Sequence, residues 1–503
     1  MQDLLFSEIQ IPKKIEINDL LVSMRKYCQE SDVERAQLAY DFAAKAHEGQ
    51  FRRSGEPYIY HPLITAHILS QIQAEPNIVI AGIMHDVPED TAVTLEDIEK
   101  NFGPDIANMI KGITKLGKLK YRGMERYIEN LRKLFVAMAE DIRVMIIKFA
   151  DRIHNLSTLD SLPPEKQKRV ALESMEIYAP IANRLGMGEF KGLLEDMSFK
   201  YLEPKEYERV VKIRDQVITD KHAYLKKVIE KLKLEMNQVG IKNNIHGREK
   251  QIFRLYQKLK RKNWEVDKIY DIVAVRIIVE DVGNCYAALG IVHKLYTPLK
   301  GRIKDYIAQP KPNGYQSLHT TVFCEDGQIV EFQIRTKEMH EESEYGVTMS
   351  HWSYDEKHKT RSKKDLNWAK ELANMQEEIL NNMKDLEEMK VDFFRSHIFV
   401  FTPQGDVIDL PEDATPVDFA YHIHTEVGNK CNGAKVNDQM VSLDSFLKSG
   451  DVVEIITDKN RKGPSPDWIK FVKTHAAKNH IRTQLNTSRA SWIKNLFDKK
   501  ASK

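Results

Sequence analysis

Between about residues 15 and 200, apolar positions recur at helical spacing, and turns are marked by Gly49, Gly55, Gly103-Pro104 and Pro163-Pro164. Alternating strand runs are missing there, which predicts an all-α region. Its most apolar stretch, NIVIAGI at 77–83, reads as a buried helix that runs straight into MHDVPEDT, Met84 to Thr91. Pro88 lacks an amide proton and clashes with the preceding turn, so that helix is expected to kink or stop. Residues 177–202 and the charged stretch to about Gly240 read as a packed helical connector. Lys242 to Lys262 reads as a basic helix, with Ile252, Leu255 or Tyr256, and Leu259 on its apolar face. The period then changes. IYDIVAVRIIV (269–279) is a short β-branched run and GQIVEFQIRT (327–336) alternates, so both read as strands, and Gly301 to Val322 reads as a loop between them. Asn367 to Met389 is an amphipathic acidic helix and reads as a linker. His397 to Thr457 predicts strand, turn, strand, helix and short strands, with Gly405, Gly428, Gly433 and Gly450 as turns.

A length of 503 residues fits roughly two to four domains. With 42% hydrophobic and 30% charged residues, the chain has enough apolar content for real cores. The net charge of +2 provides no global field for a polyanion, so phosphate affinity must be local. Cys28, Cys285, Cys324 and Cys431 are scattered without a CxxC pair, which argues against a zinc ribbon or a disulfide framework. The N-terminus has no basic start followed by an apolar core, and no run of about eighteen apolar residues occurs. These features predict a cytoplasmic protein of a reducing compartment, with no membrane partner.

Three helical segments carry polar residues that a core would not ask for. In the segment from His47 to Pro62, Arg52 and Arg53 lie on a glycine-bounded loop and His61 precedes a proline. MHDVPEDT places His85 beside Asp86, with Glu89 and Asp90 at i+4 from each. In KFADRIHNLSTL, Asp151 and Asn155 share a helix face, with Thr158 one turn on. An HD dipeptide alone is weak. His61, His85, Asp86 and Asp151 together form a two-His, two-carboxylate set suited to Mn2+ or a similar divalent ion.

The middle of the chain repeats the theme with different parts. Lys242 to Lys262 holds eight Lys/Arg against one acid, and Lys250, Arg254 and Lys258 step by four. Asp271 near the start of one strand and Glu331 on the other could serve a Mg2+-dependent phosphoryl transfer. A glycine-rich P-loop is absent, which excludes that enzyme class. Arg302, Lys304, Lys311 and His319, mixed with Tyr306 and Tyr315, suit a nucleotide: cations for phosphates, a ring for a base.

On these motifs the chain resembles the RelA/SpoT homologue family, whose members make and degrade the alarmone (p)ppGpp, in a version lacking the distal C-terminal regulatory domains. The resemblance implies a multidomain α+β chain. Its parts would be an all-α HD-type hydrolase domain (1–200), a mixed α/β nucleotidyltransferase-like synthetase domain (201–360), a linker helix (361–395), a β-grasp TGS domain (396–457) and a basic helical tail (458–503). By resemblance, His61, His85, Asp86 and Asp151 hold Mn2+, Glu89 and Asp90 activate water, and Arg52, Arg53, Asn155 and Thr158 bind the nucleotide. In the synthetase region, Asp271 binds Mg2+ and Glu331 is metal-linked or the base for the acceptor 3′-hydroxyl. Arg248 and Lys258 hold ATP phosphates, Tyr315 stacks on guanine, and Lys304, Lys311, Asn313, His319 and Gln333 surround the phosphates and base. The quartet Arg302 to Asp305 resembles the version of two-way enzymes. His424 would sense the end of uncharged tRNA, bringing tRNA and the ribosome in as partners beside ATP, GDP/GTP and (p)ppGpp. The tail, with twelve Lys/Arg, three acids and Trp468, Phe471 and Trp492, suits RNA or a solvated helical end equally. Departures from the family pattern are Pro88, Ser157, Gln251, Arg254 and Thr348 to Ser350. The expectation is a bifunctional GTP diphosphokinase and guanosine-3′,5′-bis(diphosphate) 3′-diphosphatase of the stringent response. The alternatives are a hydrolase with a degraded synthetase site and a non-catalytic tRNA- or ribosome-binding regulator.

Overall fold

The computed structural model describes residues 9–117, 134, 137, 140–346 and 397–485, apart from 13, 312, 313, 325, 326, 405, 406, 449, 459, 462 and 475. Asn313, the departures at 348–350 and the linker helix lie outside the described residues. The chain divides into two compact units, residues 1–374 and 375–503.

The first unit begins all-helical, as the spacing predicts: α1 (Ile17–Met24), α2 (Glu30–Ala46), α3 (Tyr60–Gln71), α4 (Pro76–Met84), α5 (Val87–Asp90), α6 (Leu95–Phe102), α7 (Pro104–Gly117) and α8 (Arg143–Ser157). Helix α4 is buried from Ile78 to Met84 and packs on α2, α3 and α8. Gly82 permits the close approach of α3, since a Cβ there would lie 2.6 Å from Leu69 Cδ1. The helix stops at Met84 and restarts as the single turn α5 with Pro88 in its first turn, where a missing amide proton costs little. His85 and Asp86 therefore sit at a break in the chain. Helices α9 (Pro164–Glu173) and α10 (Ala179–Arg184), joined by a π turn, lead to α11 (Gly188–Leu202) and the 35-residue α12 (Pro204–Gln238).

A five-stranded sheet follows, in the order β1-β2-β5-β4-β3. Its strands are β1 (Asn243–Glu249), β2 (Val273–Val279), β3 (Thr297–Asp305), β4 (Leu318–Phe323) and β5 (Ile329–Thr336); only β2 and β5 pair in parallel. Helix α13 (Ile252–Arg261) follows β1, α14 (Val282–Leu295) follows β2 and α15 (Lys337–Tyr345) follows β5. Alternation gives the sheet two unlike faces. Val275, Ile277, Phe332 and Ile334 face the core formed with α12, α13 and α14. The register aligns Arg248, Ala274, Glu331 and Thr321 in one row, and His246, Arg276, Gln333, His319 and Lys304 in the next. That second face is polar.

Three sequence expectations change here. The basic stretch is not one helix: residues 243–249 form an edge strand, because Ile245 buries in the core and the backbone pairs with β2. Only Ile252 to Arg261 is helical, with Ile252, Leu255, Tyr256 and Leu259 buried as the apolar face. The stretch Gly301 to Val322 is largely a hairpin, β3 and β4, with residues 306–317 as its loop. Strand β2 starts at Val273, so Asp271 lies in the turn before it.

The second unit holds β6 (His397–Phe401), β7 (Val407–Pro411), α16 (Pro416–Ile423), α17 (Thr425–Lys430), β8 (Cys431–Val436), β9 (Gln439–Val441) and β10 (Val453–Thr457). Gly428 and Gly433 are not turns: the first lies in α17 and the second in β8. Trp468 is buried with Val417, Tyr421, Cys431, Val472 and Ile481, and Asp418 accepts hydrogen bonds from the backbone of Lys473 and Thr474. Trp468 is thus a core residue rather than an RNA-facing one, and Phe471 packs against the same cluster. Among the described residues, no helix is long and apolar enough to cross a membrane, and all four cysteines are free thiols.

Candidate functional sites

The first polar cluster forms where the α4–α5 break meets α3 and α8. His85 is fully buried; its Nδ1 lies 2.8 Å from the Gly82 carbonyl and must donate, which leaves the Nε2 lone pair facing inward. No hydrogen bond is made by that Nε2 among the described residues, although Asp86 Oδ1 is 3.2 Å away. His61 Nε2 approaches Asp86 Oδ2 at 3.4 Å and Asp151 Oδ1 at 3.2 Å. His61, His85 and Asp86 each offer an atom within 4.8 Å of the others. A buried imidazole lone pair aimed at a carboxylate, with its other nitrogen fixed by a carbonyl, is the donor arrangement of a divalent-metal site. Burial alone would raise the Asp86 carboxyl; the His85 and His61 rings outweigh it and hold it below its ordinary value.

Asp151 is adjacent but already engaged. Its Oδ2 lies 2.6 Å from Lys148 Nζ and its Oδ1 accepts from Asn155 Nδ2 at 2.5 Å. Burial opposes ionisation of Asp151, and Lys148 overrides it, holding this carboxyl well below the usual range. Arg52 Nη2 donates to Asn155 Oδ1 at 2.7 Å, and its Nη1 lies 3.4 Å from Thr158 Oγ1. Arg52, Arg53, Lys148, Asp151, Asn155 and Thr158 line a cleft of about 420 Å³. Glu89 and Asp90 stand on α5 at the edge of the cluster. Partial burial, with Asp86 and Asp90 nearby, raises the Glu89 carboxyl against the opposing pull of Lys148.

Three residues of this site had no assigned role from sequence. The Tyr58 hydroxyl bridges Asp86 Oδ2 (3.0 Å) and Asp90 Oδ2 (2.6 Å), tying the two acids together. His154 stacks on His61, their Nδ1 atoms 2.6 Å apart. Lys148 neutralises Asp151. Only the i, i+3 spacing of Lys148 with Asp151 could have been read in advance.

The second cluster lies on the polar face of the sheet. Lys250 and Lys258 both contact Asp271 Oδ2. Burial alone would raise Asp271, and the two lysines bring it down to about 2. Glu331 Oε1 accepts from Gln333 Nε2 at 3.0 Å and lies 3.5 Å from His319 Nδ1. Burial works against its ionisation, but these partners hold it below its ordinary value. Arg248 donates to Gln333 Oε1 at 2.9 Å. Tyr306, Tyr315 and His319 form a ring cluster in which the Tyr315 hydroxyl lies 2.8 Å from His319 Nε2. Lys311 Nζ sits 4.6 Å and 4.9 Å from the Tyr306 and Tyr315 ring centres. Lys304 pairs across strands with His319. Of the basic stripe, Lys250 and Lys258 converge on Asp271, while Arg254 turns toward Glu195 at 3.8 Å. Behind the site, Glu344 accepts from both Arg276 (2.9 Å) and Arg335 (2.5 Å), a buried triad that sequence reading did not single out.

Residues 39–188 match the HD domain family, residues 247–359 match the region found in RelA / SpoT proteins, and residues 398–457 match the TGS domain family. The bifunctional (p)ppGpp synthase/hydrolase SpoT of Escherichia coli is 41% identical over 466 residues, covering 92% of this chain and 66% of that protein. The chain is similar to members of the RelA/SpoT family over about nine tenths of its length. A guanosine-3′,5′-bis(diphosphate) 3′-pyrophosphohydrolase of Aquifex aeolicus is 47% identical over 450 residues, covering 89% of this chain and 64% of the relative. A GTP pyrophosphokinase of Myxococcus xanthus is 43% identical over 466 residues, covering 92% and 61%. The chain thus spans just under two thirds of the length of these relatives. Among solved structures, the small alarmone synthetase 1 of Bacillus subtilis bound to its product pppGpp is 25% identical and covers 35% of this chain and 97% of that one, with a TM-score of 0.23. The HD and RelA/SpoT regions imply use of divalent metal ions.

In the second unit, His424 is exposed at the junction of α16 and α17. Its Nδ1 accepts from the Glu426 amide at 3.2 Å, so the ring caps α17.

Proposed function

We propose that the chain is a two-way alarmone enzyme of the stringent response, acting in the cytoplasm. In one direction it transfers pyrophosphate from ATP to the 3′-hydroxyl of GDP or GTP, giving (p)ppGpp and AMP. In the other it hydrolyses (p)ppGpp to GDP or GTP and pyrophosphate. The observation that carries this reading is the presence of two separate carboxylate clusters in the first unit, each beside cations, in the regions that match the HD and RelA/SpoT families.

For hydrolysis, His61, His85 and Asp86 would hold Mn2+, with Asp151 as fourth ligand once Lys148 and Asn155 release it. Such an ion supplies charge neutralisation and makes a bound water more acidic. Arg52 and Arg53 face the phosphates, with Asn155 and Thr158 lining the same cleft. Either Glu89, whose ionised carboxylate burial makes a stronger base than usual, or Asp90, held by Tyr58, accepts the proton of the attacking water. The water oxygen bonds to phosphorus, the P–O3′ bond breaks, the 3′-oxygen of GDP or GTP departs and takes up a proton, and the attacked group is released as pyrophosphate.

For synthesis, Asp271 would hold Mg2+, which neutralises charge on the transferring group. Arg248, Lys258, Lys304 and Lys311 supply the remaining cations, Tyr315 stacks on the guanine, and Asn313, His319 and Gln333 complete the pocket. Glu331, kept ionised by its partners, takes the proton of the 3′-hydroxyl as that oxygen attacks the β-phosphorus of ATP and AMP leaves. Positioning and charge neutralisation account for most of such a transfer. His424 is proposed to contact the end of uncharged tRNA, through which the ribosome becomes a partner.

The test is chromatographic. Purified protein is incubated with ATP, GDP and Mg2+, and separately with ppGpp and Mn2+. Asp86→Ala is expected to abolish hydrolysis and spare synthesis, and Asp271→Gly to do the reverse. Loss of both activities with each variant overturns the two-site reading. Hydrolysis without synthesis in the unmodified chain points to a one-way hydrolase, and neither activity points to a binding regulator.

A further inference from the structure

Helix α13 carries Arg254 and Lys258, yet its own N-terminal residue provides no side-chain cap: Gln251 makes no such bond. The first free amides of a helix need acceptors. Here both acceptors come from α11, in the helical half of the chain. Asp196 Oδ2 takes the Ile252 amide at 2.9 Å, and Asp196 Oδ1 takes the Phe253 amide at 2.9 Å. Three further contacts align the two helices. Gly192 faces Gln251 so closely that a Cβ there would lie 1.6 Å from Gln251 Nε2. Glu195 reaches Arg254, and Glu203, just past α11, accepts from the Tyr256 hydroxyl at 2.8 Å. Gly188, Gly192 and Asp196 recur every four residues, so α11 devotes one stripe to the start of α13. The other end of the lever is Lys258, one and a half turns beyond the capped amides, on Asp271.

We propose that Asp196 is a positioning residue for ATP: by capping α13 from a neighbouring helix, it sets where Lys258 and Arg254 meet the triphosphate. The guanine-side residues Tyr315, Lys311 and His319 lie outside α13, on β4 and the loop before it, so the cap does not position them. The inference rests on the synthetase reading for the identity of the nucleotide, so binding is measured apart from turnover.

Calorimetric titration with ATP carrying a methylene α,β bridge, in Mg2+, is compared for the unmodified chain, Asp196→Ala and Asp196→Asn. Loss of both bonds is expected to weaken ATP binding about fivefold or more, and asparagine, which keeps one acceptor oxygen, is expected to recover most of it. GDP affinity and Mn2+-dependent ppGpp hydrolysis are expected to stay within about twofold, since the residues placed on GDP and ppGpp lie outside α13 and the charge that Arg254 presents to Lys311 is kept in every variant. Unchanged ATP affinity in Asp196→Ala overturns the proposal, as does an equal loss for ATP and GDP, or an asparagine variant no better than alanine. If the alanine variant does not fold, Asp196→Glu carries the comparison. It keeps the charge but displaces the oxygens by one methylene, so weaker ATP binding supports the cap and unchanged binding overturns it. ATP binding without ppGpp formation in the unmodified chain would remove the synthetase reading and leave this inference standing.

Discussion

Tyr58 shows how one hydroxyl can serve two carboxylates. It donates toward Asp86 and Asp90 at once, and burial together with those acids raises its own phenol well above the ordinary value, so it stays protonated and remains a donor. Tyr58→Phe is expected to lower ppGpp hydrolysis about tenfold and to weaken Mn2+ binding by titration, while leaving synthesis unchanged. Unaltered hydrolysis would remove Tyr58 from the site. Lys311 offers a pH test on the other reaction. Burial against the two tyrosine rings, with Lys304, Arg254 and Arg248 facing it, lowers its ammonium to about 8 despite the pull of Glu331. The cation is therefore present below pH 8 and is lost as pH rises through that value, so KM for GDP is expected to climb on the alkaline side. Lys311→Arg, always charged, is expected to flatten that climb. Neither residue's behaviour could be read from its neighbours in the chain. Tyr58 lies 28 and 32 residues from its acids, and the groups that shift Lys311 come from β1, α13, β3 and β5.

Among the elements, α15 depends on a charge arrangement that hydrophobic patterning does not reveal. Glu344 is buried between Arg276 on β2 and Arg335 on β5, and the guanidinium of Arg335 is almost wholly enclosed. Glu344→Ala leaves two buried cations without their shared anion and is expected to cost about 3–5 kcal/mol of stability, measured by urea unfolding. A change below about 1 kcal/mol would mean that water reaches the arginines. The strands and helices show where local pattern suffices. The alternation of β5 correctly separates Val330, Phe332 and Ile334 from Glu331, Gln333 and Arg335, because the period of two is a property of the extended backbone itself. The apolar face of α13 was equally legible. Its N-terminal boundary was not, since the preceding basic residues pair with β2, a contact made across about thirty residues.

The whole molecule places two polar clusters in one unit and a third fold in another. In the second unit, Trp468 lies beyond the last strand yet fills the core beneath α16 and α17. Trp468→Ala is expected to destabilise that unit by about 3–5 kcal/mol, seen as new proteolytic cuts within 397–485 while residues 9–346 stay protected. Survival of the second unit intact would place the tryptophan outside its core. In the first unit, the break between α4 and α5 exposes donors from a buried helix, and the unlike faces of the sheet collect charges from four strands. Both follow from elementary rules applied to distant segments brought side by side.

The ligand types, the break at Pro88, the strand period and the family are properties of local order along the chain, and each is readable there because dihedral preferences and residue chemistry act over a few positions. The stacking of His154 on His61, the joining of Lys250 and Lys258 on Asp271, the Tyr58 bridge and the Asp196 cap came only with tertiary structure. Each joins groups through a few ångströms of space whose separation along the chain carries no signal, or whose choice among several possible partners is made by packing alone.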